Sequence, residues 1–199
     1  SDPLVFVIDT APPPPPGIPS AASPTNNRNP VWTWAEAEGA AKYRVFENDV
    51  DKGFVTAPPF TSANLPEGSH HLQATALDEL GNESERSASG TVEVDLTPPA
   101  PPRMQALPEF ISPTANGGLL VFEWVAEADA IRFDLKYSAG GLDPETVVLY
   151  VTRYELDISG LDDGVVIQSR VMAYDAAGNG SGWSGLVRTE LDKTRPSTT

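Results

Sequence analysis

Apolar residues in this chain recur mostly at every second position, in short runs that end at Gly, Pro, Asn or Asp. Trp32 and Trp34 flank a polar residue, as do Phe122 and Trp124, so each pair is placed on one face of a strand. No long stretch carries apolar residues at the spacing of an amphipathic helix. The pattern is typical of an all-β chain.

The alternation predicts strands at short, regular intervals, separated by turns such as Gly117-Gly118 and Gly140-Gly141. In the first half of the chain we expect them near 29–35, 41–48, 53–57, 60–65, 69–78 and 86–95. In the second half we expect them near 104–110, 118–125, 130–137, 145–151, 153–158, 165–175 and 183–191. The run Pro12–Pro16 is expected to be an extended polyproline II linker, and Leu4–Ile8 a strand before it.

One short pattern of Asp, Thr and Pro occurs three times, each time after a strand-like approach. The copies begin at Asp9, Asp95 and Asp192, which lie 86 and 97 residues apart. Proline ends β-ladder pairing and stiffens the chain, so each copy is interpreted as a junction between domains. The spacing is that of an immunoglobulin-type sandwich.

The segments between the junctions also match each other. Trp34 is followed nine residues later by Tyr43, and Trp124 nine residues later by Phe133. Further on, Asp78-Glu79-Leu80-Gly81-Asn82 parallels Asp175-Ala176-Ala177-Gly178-Asn179, and a serine follows two residues after each Asn. Agreement at this many ordered positions indicates one folding unit written twice.

These positions resemble the bacterial immunoglobulin-like and fibronectin-III-like repeats of large secreted and surface proteins, including adhesins. The resemblance implies two tandem immunoglobulin/fibronectin-III-like antiparallel β-sandwiches. Residues 1–9 would be the terminal strand of a preceding domain or a linker, 10–95 the first domain, 96–192 the second, and 193–199 the start of the next linker. It also implies an extracellular or cell-surface location.

The charge of the chain narrows the range of partners. The 199 residues carry a net charge of −15, which repels nucleic acid and anionic lipid. With no cysteine, disulfides and thiolate zinc sites are excluded. No apolar run is long enough to span a membrane. The expected partners are neighbouring domains of the same polypeptide, with a glycan or a cell-surface protein as the alternative, and the chain is expected to be a monomer.

Catalytic motifs are not recognisable in the sequence. The two histidines, His70 and His71, are adjacent and would face opposite ways on a strand. Phosphate-binding loops and zinc-protease motifs are missing, and paired carboxylates for glycoside hydrolysis are the remaining alternative. We therefore expect a non-enzymatic structural spacer, with a carbohydrate- or protein-binding module as the second hypothesis.

No cofactor is required, but calcium is the candidate ion. It takes about 6–8 oxygen ligands, and the junctions carry Asp and Asn side chains that the sandwich topology would bring together. Alternatively, these side chains bond to the backbone of their own turns. The candidate ligands are Asp95, Asp175, Asn179 and Glu67 at one junction, and Asp9, Asp78 and Asn82 at the other.

Aromatic residues outside the core are candidates for a ligand face. Trp32, Trp34 and Trp124 are expected in the cores because of their strand positions. Trp183 lies between glycines and serines and could offer a stacking surface to a sugar ring. Tyr150 and Tyr154 are expected to share a face with each other.

Overall fold

The structure is a computed structural model, and it describes residues 8–194 apart from the side chain of Ala115. The predicted strand Leu4–Ile8 lies outside this range except for Ile8, which is 84% exposed and in no strand. In the described range the chain is all β, with one short 3₁₀ turn at Ala115–Gly117. In that range no helix is long and apolar enough to cross a membrane.

The chain divides between Leu96 and Thr97 into two compact units. The first unit is a sandwich of a four-stranded sheet, in the order β3-β2-β5-β6, and a two-stranded sheet, β1-β4. Neighbouring strands in both sheets are antiparallel. Its strands are β1 (Val31–Trp32), β2 (Lys42–Glu47), β3 (Val50–Val55), β4 (Phe60–Thr61), β5 (Gly68–Leu77) and β6 (Gly90–Val94).

The second unit is a sandwich of a five-stranded sheet, β11-β10-β13-β14-β8, and a three-stranded sheet, β12-β9-β7. Its strands are β7 (Arg103–Met104), β8 (Phe110–Ile111), β9 (Leu119–Val125), β10 (Arg132–Ala139), β11 (Glu145–Leu149), β12 (Arg153–Asp157), β13 (Val166–Tyr174) and β14 (Val187–Leu191). The fold-class prediction is confirmed, with one exception to the antiparallel pairing: β8 runs parallel to β14.

The prediction of one continuous strand at 104–110 is wrong. The segment forms two short strands that belong to different sheets, since β7 pairs with β9 and β8 pairs with β14. Pro108 lies between them, and proline has no amide hydrogen to donate to a ladder. The chain therefore crosses from one sheet to the other at this point.

Each unit has its own hydrophobic core, built around a tryptophan. Trp34 meets Tyr43 edge-on at 5.7 Å between ring centroids. Trp124 meets Phe133 in the same way at 5.5 Å, and edge-to-face packing is a favourable arrangement for aromatic rings. Trp32 is fully buried. The prediction that these tryptophans are core residues is confirmed.

The proline-rich segment packs on the first unit instead of standing free. Pro13, Pro16 and Pro19 are buried while their neighbours are mostly exposed, and this spacing of three matches a polyproline II turn. The backbone amide of Gly17 donates to the carbonyl of Ala35 at 2.9 Å. A Cβ atom at Gly90 would lie 1.7 Å from the Pro19 carbonyl oxygen, so only glycine allows this approach.

Candidate functional site

The larger sheet of each unit has an outer face, formed by side chains that alternate with those of the core. In the second unit, Lys136 on β10 and Arg170 on β13 lie on this face directly opposite each other in register. Their neighbours Leu135 and Val171 point into the core and are fully buried. Strand alternation thus brings two half-buried cations side by side.

Two serines position Trp183 beside Arg170. The hydroxyl of Ser181 accepts the Ala173 amide at 2.9 Å, and that of Ser184 accepts the Val171 amide at 3.0 Å. These side chains take the place of a strand partner along β13. Trp183 between them is half-buried, with the Arg170 guanidinium 4.5 Å from the centre of its ring.

A cleft of about 190 Å³ opens on the same face. The residues that line it include Lys136, Ser138, Pro144, Gln168, Arg170 and Leu186. Tyr137 also lines it and donates its hydroxyl to Glu145 at 2.6 Å, a bond that raises the pKa of Tyr137.

Two acidic side chains on the same sheet have other partners. Asp134 lies 3.8 Å from Arg132, and Glu190 lies 3.5 Å from Arg188. Within residues 8–194, neither Lys136 nor Arg170 forms an ion pair. The cleft therefore presents two positive charges that form no ion pair with an acid of the described residues.

The outer face of the first unit is different, because its two arginines lie close to acids. The Arg44 Nε donates to Asp51 at 2.9 Å, and this pairing holds the pKa of Asp51 below its usual value. A second Arg44 nitrogen lies 3.7 Å from Glu83. Arg86 stacks on Phe46 at 3.7 Å and lies 3.5 Å from Asp49.

At the Asp78 turn the structure brings three of the predicted calcium ligands together. The Asp78 carboxylate accepts the Leu80 and Asn82 amides and the Asn82 side chain, at 2.7–2.9 Å. These bonds, the Asn82 side chain first, lower the pKa of Asp78. Asn82 Nδ2 also donates to the Asp9 carbonyl at 3.1 Å. The Asp78 oxygens thus already accept hydrogen bonds from their own turn, which is the alternative to calcium binding that the sequence left open.

The remaining predicted calcium ligands are divided between the units. Asp175 accepts the backbone and side-chain amides of Asn179 at 2.8 and 2.9 Å, repeating the Asp78 turn. Asp95 and Glu67 belong to the first unit. Among the residues that the structure describes, no group of three or more His, Asp and Glu side chains could hold a metal ion. Calcium binding stays a prediction, which melting curves with and without calcium would test.

The predicted aromatic ligand face is divided. Tyr154 on β12 is half-buried, with its ring 5.8 Å from that of Tyr137. Tyr150 is exposed in the bend after β11. The prediction that these two tyrosines share a face is wrong, because the bend ends one strand and the next strand joins the other sheet. Trp183 alone of the three stacks on a cation.

The two histidines face opposite ways, as expected. His70 is buried, and its Nε2 lies 2.9 Å from the Pro66 carbonyl oxygen while its Nδ1 lies 3.0 Å from Asn48 Nδ2. His71 is half-buried, 3.4 Å from Asp49.

Sequence reasoning missed a buried polar chain in the first unit. Glu47 is 3% exposed, accepts the Ser62 hydroxyl and lies 3.0 Å from Lys52. Trp32 Nε1 donates to the same hydroxyl at 2.9 Å. Each group has a partner, so the arrangement is a satisfied structural network.

Sequence reasoning also missed Lys136 and Arg170. One signal was present, since Lys136 follows the core residue Phe133 by three positions and thus lies on the outer face of its strand. Its pairing with Arg170 depends on the strand register, which the sequence does not display.

Comparison with known proteins supports the fold. No protein-family model and no curated protein matches the chain. Among solved structures, the Clostridium thermocellum CbhA fibronectin(III)-like modules match at a TM-score of 0.54 and 14% identity, covering 92% of this chain and 95% of that one. The chicken CNTN1 FN1-FN3 domains match at a TM-score of 0.38 and 14% identity, covering 92% of this chain and 68% of that one. The chain thus has the fibronectin-III-like β-sandwich fold.

Proposed function

We propose that the chain is a pair of non-catalytic structural modules that space and project other parts of a larger extracellular or bacterial surface protein, of adhesin or secreted-enzyme type. One observation carries the proposal: the proline-rich segment that precedes the strands of the first unit packs against that unit. The Asn82 side chain binds the Asp9 carbonyl at 3.1 Å, and Pro13 and Pro16 are buried.

A segment held in this way supports a spacing role because it restricts the direction of the chain. Each proline fixes its own φ near −65°, and the buried prolines remove further freedom from the segment. The second junction, Thr97–Pro102, is also rich in proline. A spacer needs this property at each junction, since a flexible junction would let the projected part fold back.

The acidic composition agrees with this role. A net charge of −15 on 199 residues makes copies of the chain repel one another and keeps them in solution. The fibronectin-III-like modules of Clostridium thermocellum CbhA have the same fold. They support the proposal by analogy at the level of fold.

Single-molecule energy transfer tests the spacing role. The chain has no cysteine, so Thr10→Cys and Lys193→Cys give two unique dye positions. We expect a narrower distance distribution than that of a variant whose junction Thr97–Pro102 is replaced by Gly and Ser residues, which form a flexible linker. Equally broad distributions in the two proteins would contradict the proposal.

A further inference from the structure

We propose that the outer face of the second unit binds an acidic saccharide, with one sugar carboxylate bridging Lys136 and Arg170. The site goes beyond the spacing role and does not depend on it. It uses side chains that the core does not need, because both residues alternate with buried neighbours along their strands.

The first argument is the register of the two cations. Like charges directly opposite each other on neighbouring strands destabilise a sheet. Lys136 and Arg170 stand in this arrangement, and neither forms an ion pair within residues 8–194. A carboxylate placed between them would turn the repulsion into two charge-assisted hydrogen bonds.

The second argument is the position of Arg170. The carbon of its guanidinium lies 4.5 Å from the centre of the Trp183 ring, a cation–π contact. This contact limits the conformations of the Arg170 side chain, whose planar donors suit a carboxylate. The serines on either side of Trp183 are bonded to β13, which fixes the stacking partner before any ligand arrives.

The third argument is the composition of the cleft. Ser138 and Gln168 offer a hydroxyl and an amide for sugar hydroxyls, and the exposed Pro144 and Leu186 offer apolar surface for a C–H face. The volume of about 190 Å³ is smaller than the roughly 300–1,000 Å³ of sites for drug-sized ligands. It suits a single sugar ring of a longer chain.

The net charge of the protein selects among anions. Nucleic acid carries a dense row of phosphates, which a protein of charge −15 repels. A uronic acid polymer carries one carboxylate per ring, with hydroxyls between. The two local cations can accept such a charge without a basic surface around them.

Calorimetric titration with two tetrasaccharides tests the site. Tetra-β-1,4-glucuronate and cellotetraose differ only in the carboxylates, and we expect the first to bind at least ~10-fold more tightly. Lys136→Gln and Arg170→Gln should each weaken glucuronate binding by roughly 10-fold or more, the range of a lost charge-assisted hydrogen bond. Arg170→Lys keeps the charge but loses the planar donors and should also weaken binding.

Arg103→Gln is the matched control, because it removes the same charge from an exposed residue on the other sheet. We expect it to change the affinity by less than about twofold, as for an exposed charge outside the site. Melting curves would verify that each variant is folded.

Three results would overturn the proposal. The first is that the glucuronate does not bind. The second is that Arg103→Gln and Arg170→Gln weaken its binding equally. The third is that inorganic sulfate binds as tightly as the saccharide. The energy-transfer measurement of the spacing role uses neither cation, so the two proposals fail independently.

Discussion

The outer faces of the two units carry similar kinds of side chain in opposite arrangements. In the first unit the strand contributes the aromatic ring and the loop the cation, as Phe46 and Arg86, 3.7 Å apart. In the second unit the loop contributes the ring and the strand the cation, as Trp183 and Arg170, 4.5 Å apart.

The charge around these stacks differs as well. Arg86 also lies near Asp49, and the strand residue opposite Phe46 is the uncharged Gln73. The residue opposite Arg170 is a second cation, Lys136. Matching strand positions thus carry an uncharged pair, Phe46 and Gln73, in one unit and a pair of cations, Lys136 and Arg170, in the other. Similar strand geometry therefore says little about what a given face can bind.

The largest expected effects test whether the two cores are independent. Trp34→Ala should lower the free energy of unfolding of the first unit by about 3–5 kcal/mol, the usual range for a buried tryptophan. Trp124→Ala should do the same to the second unit. Denaturant unfolding followed by NMR resolves the two transitions, and a shift of both transitions by either variant would contradict two separate cores.

The next effect concerns the proline segment of the first unit. Gly90→Ala would place a Cβ atom 1.7 Å from the Pro19 carbonyl oxygen. We expect a loss of about 1–3 kcal/mol in unfolding free energy, the usual cost of overpacking. Gly185→Ala is the control, since a Cβ atom there meets nothing within 4 Å. Equal stability of the two variants would show that the segment is not packed as described.

A third comparison concerns two buried hydroxyls in the second unit. Thr189 and Ser169 are each 1% exposed, and their hydroxyls lack a hydrogen-bond partner among the described residues. The first unit has the buried residues Val92 and Leu72 at the matching places. Thr189→Val should therefore stabilise the second unit by about 1 kcal/mol, and Val92→Thr should destabilise the first by about 1–3 kcal/mol. Thermal melting that shows destabilisation by Thr189→Val would contradict this interpretation.

A smaller effect tests the cation pair itself. Lys136→Glu replaces a repulsive cross-strand pair with an attractive one, so the second unit should gain about 0.2–1 kcal/mol. The gain should shrink as salt is added. Gln73→Glu is the counterpart in the first unit. It places an acid beside Arg86, which already has Asp49 as an acidic partner, so the stability of that unit should change less. Melting at low and high salt checks both, and a salt-independent loss in Lys136→Glu would mean that the two cations do not repel.

The smallest effect is a pH dependence at the Asp78 turn. The Asn82 side chain and backbone amides lower the Asp78 pKa in the folded state. The bonds therefore stabilise the fold above the unfolded pKa of about 3.9, and this contribution is lost as the pH falls through the lowered folded value. The protection factors of the Leu80 and Asn82 amides, which compare the measured exchange rate with the intrinsic rate at the same pH, should fall over that range. An Asp78→Asn variant with the same acid dependence would contradict this assignment.

Most strands could be predicted from the sequence because alternation and turn residues agree there. The strand expected at 69–78 is β5, Gly68–Leu77, and that expected at 41–48 is β2, Lys42–Glu47. The strand expected at 53–57 begins earlier, at Val50. Asn48 and Asp49 both have positive φ and make a two-residue hairpin turn, a weaker sequence signal than Asn-Gly.

The candidate site was only partly predictable. Trp183 could be singled out by its glycine and serine neighbours, but its stacking partner Arg170 lies on another strand. The Asp78 turn could be predicted, because an Asp bonding forward to nearby amides is a local feature. The opposition of Lys136 and Arg170 depends on the strand register, which packing of the whole sandwich determines.

An NMR titration of the ¹⁵N-labelled chain with tetra-β-1,4-glucuronate tests the difference between the two faces most directly. We expect the amide shifts to cluster on β10, β13 and the loop around Trp183, with the matching strands β2 and β5 unchanged. Equal shifts on both outer faces, or shifts confined to other surfaces, would contradict the account.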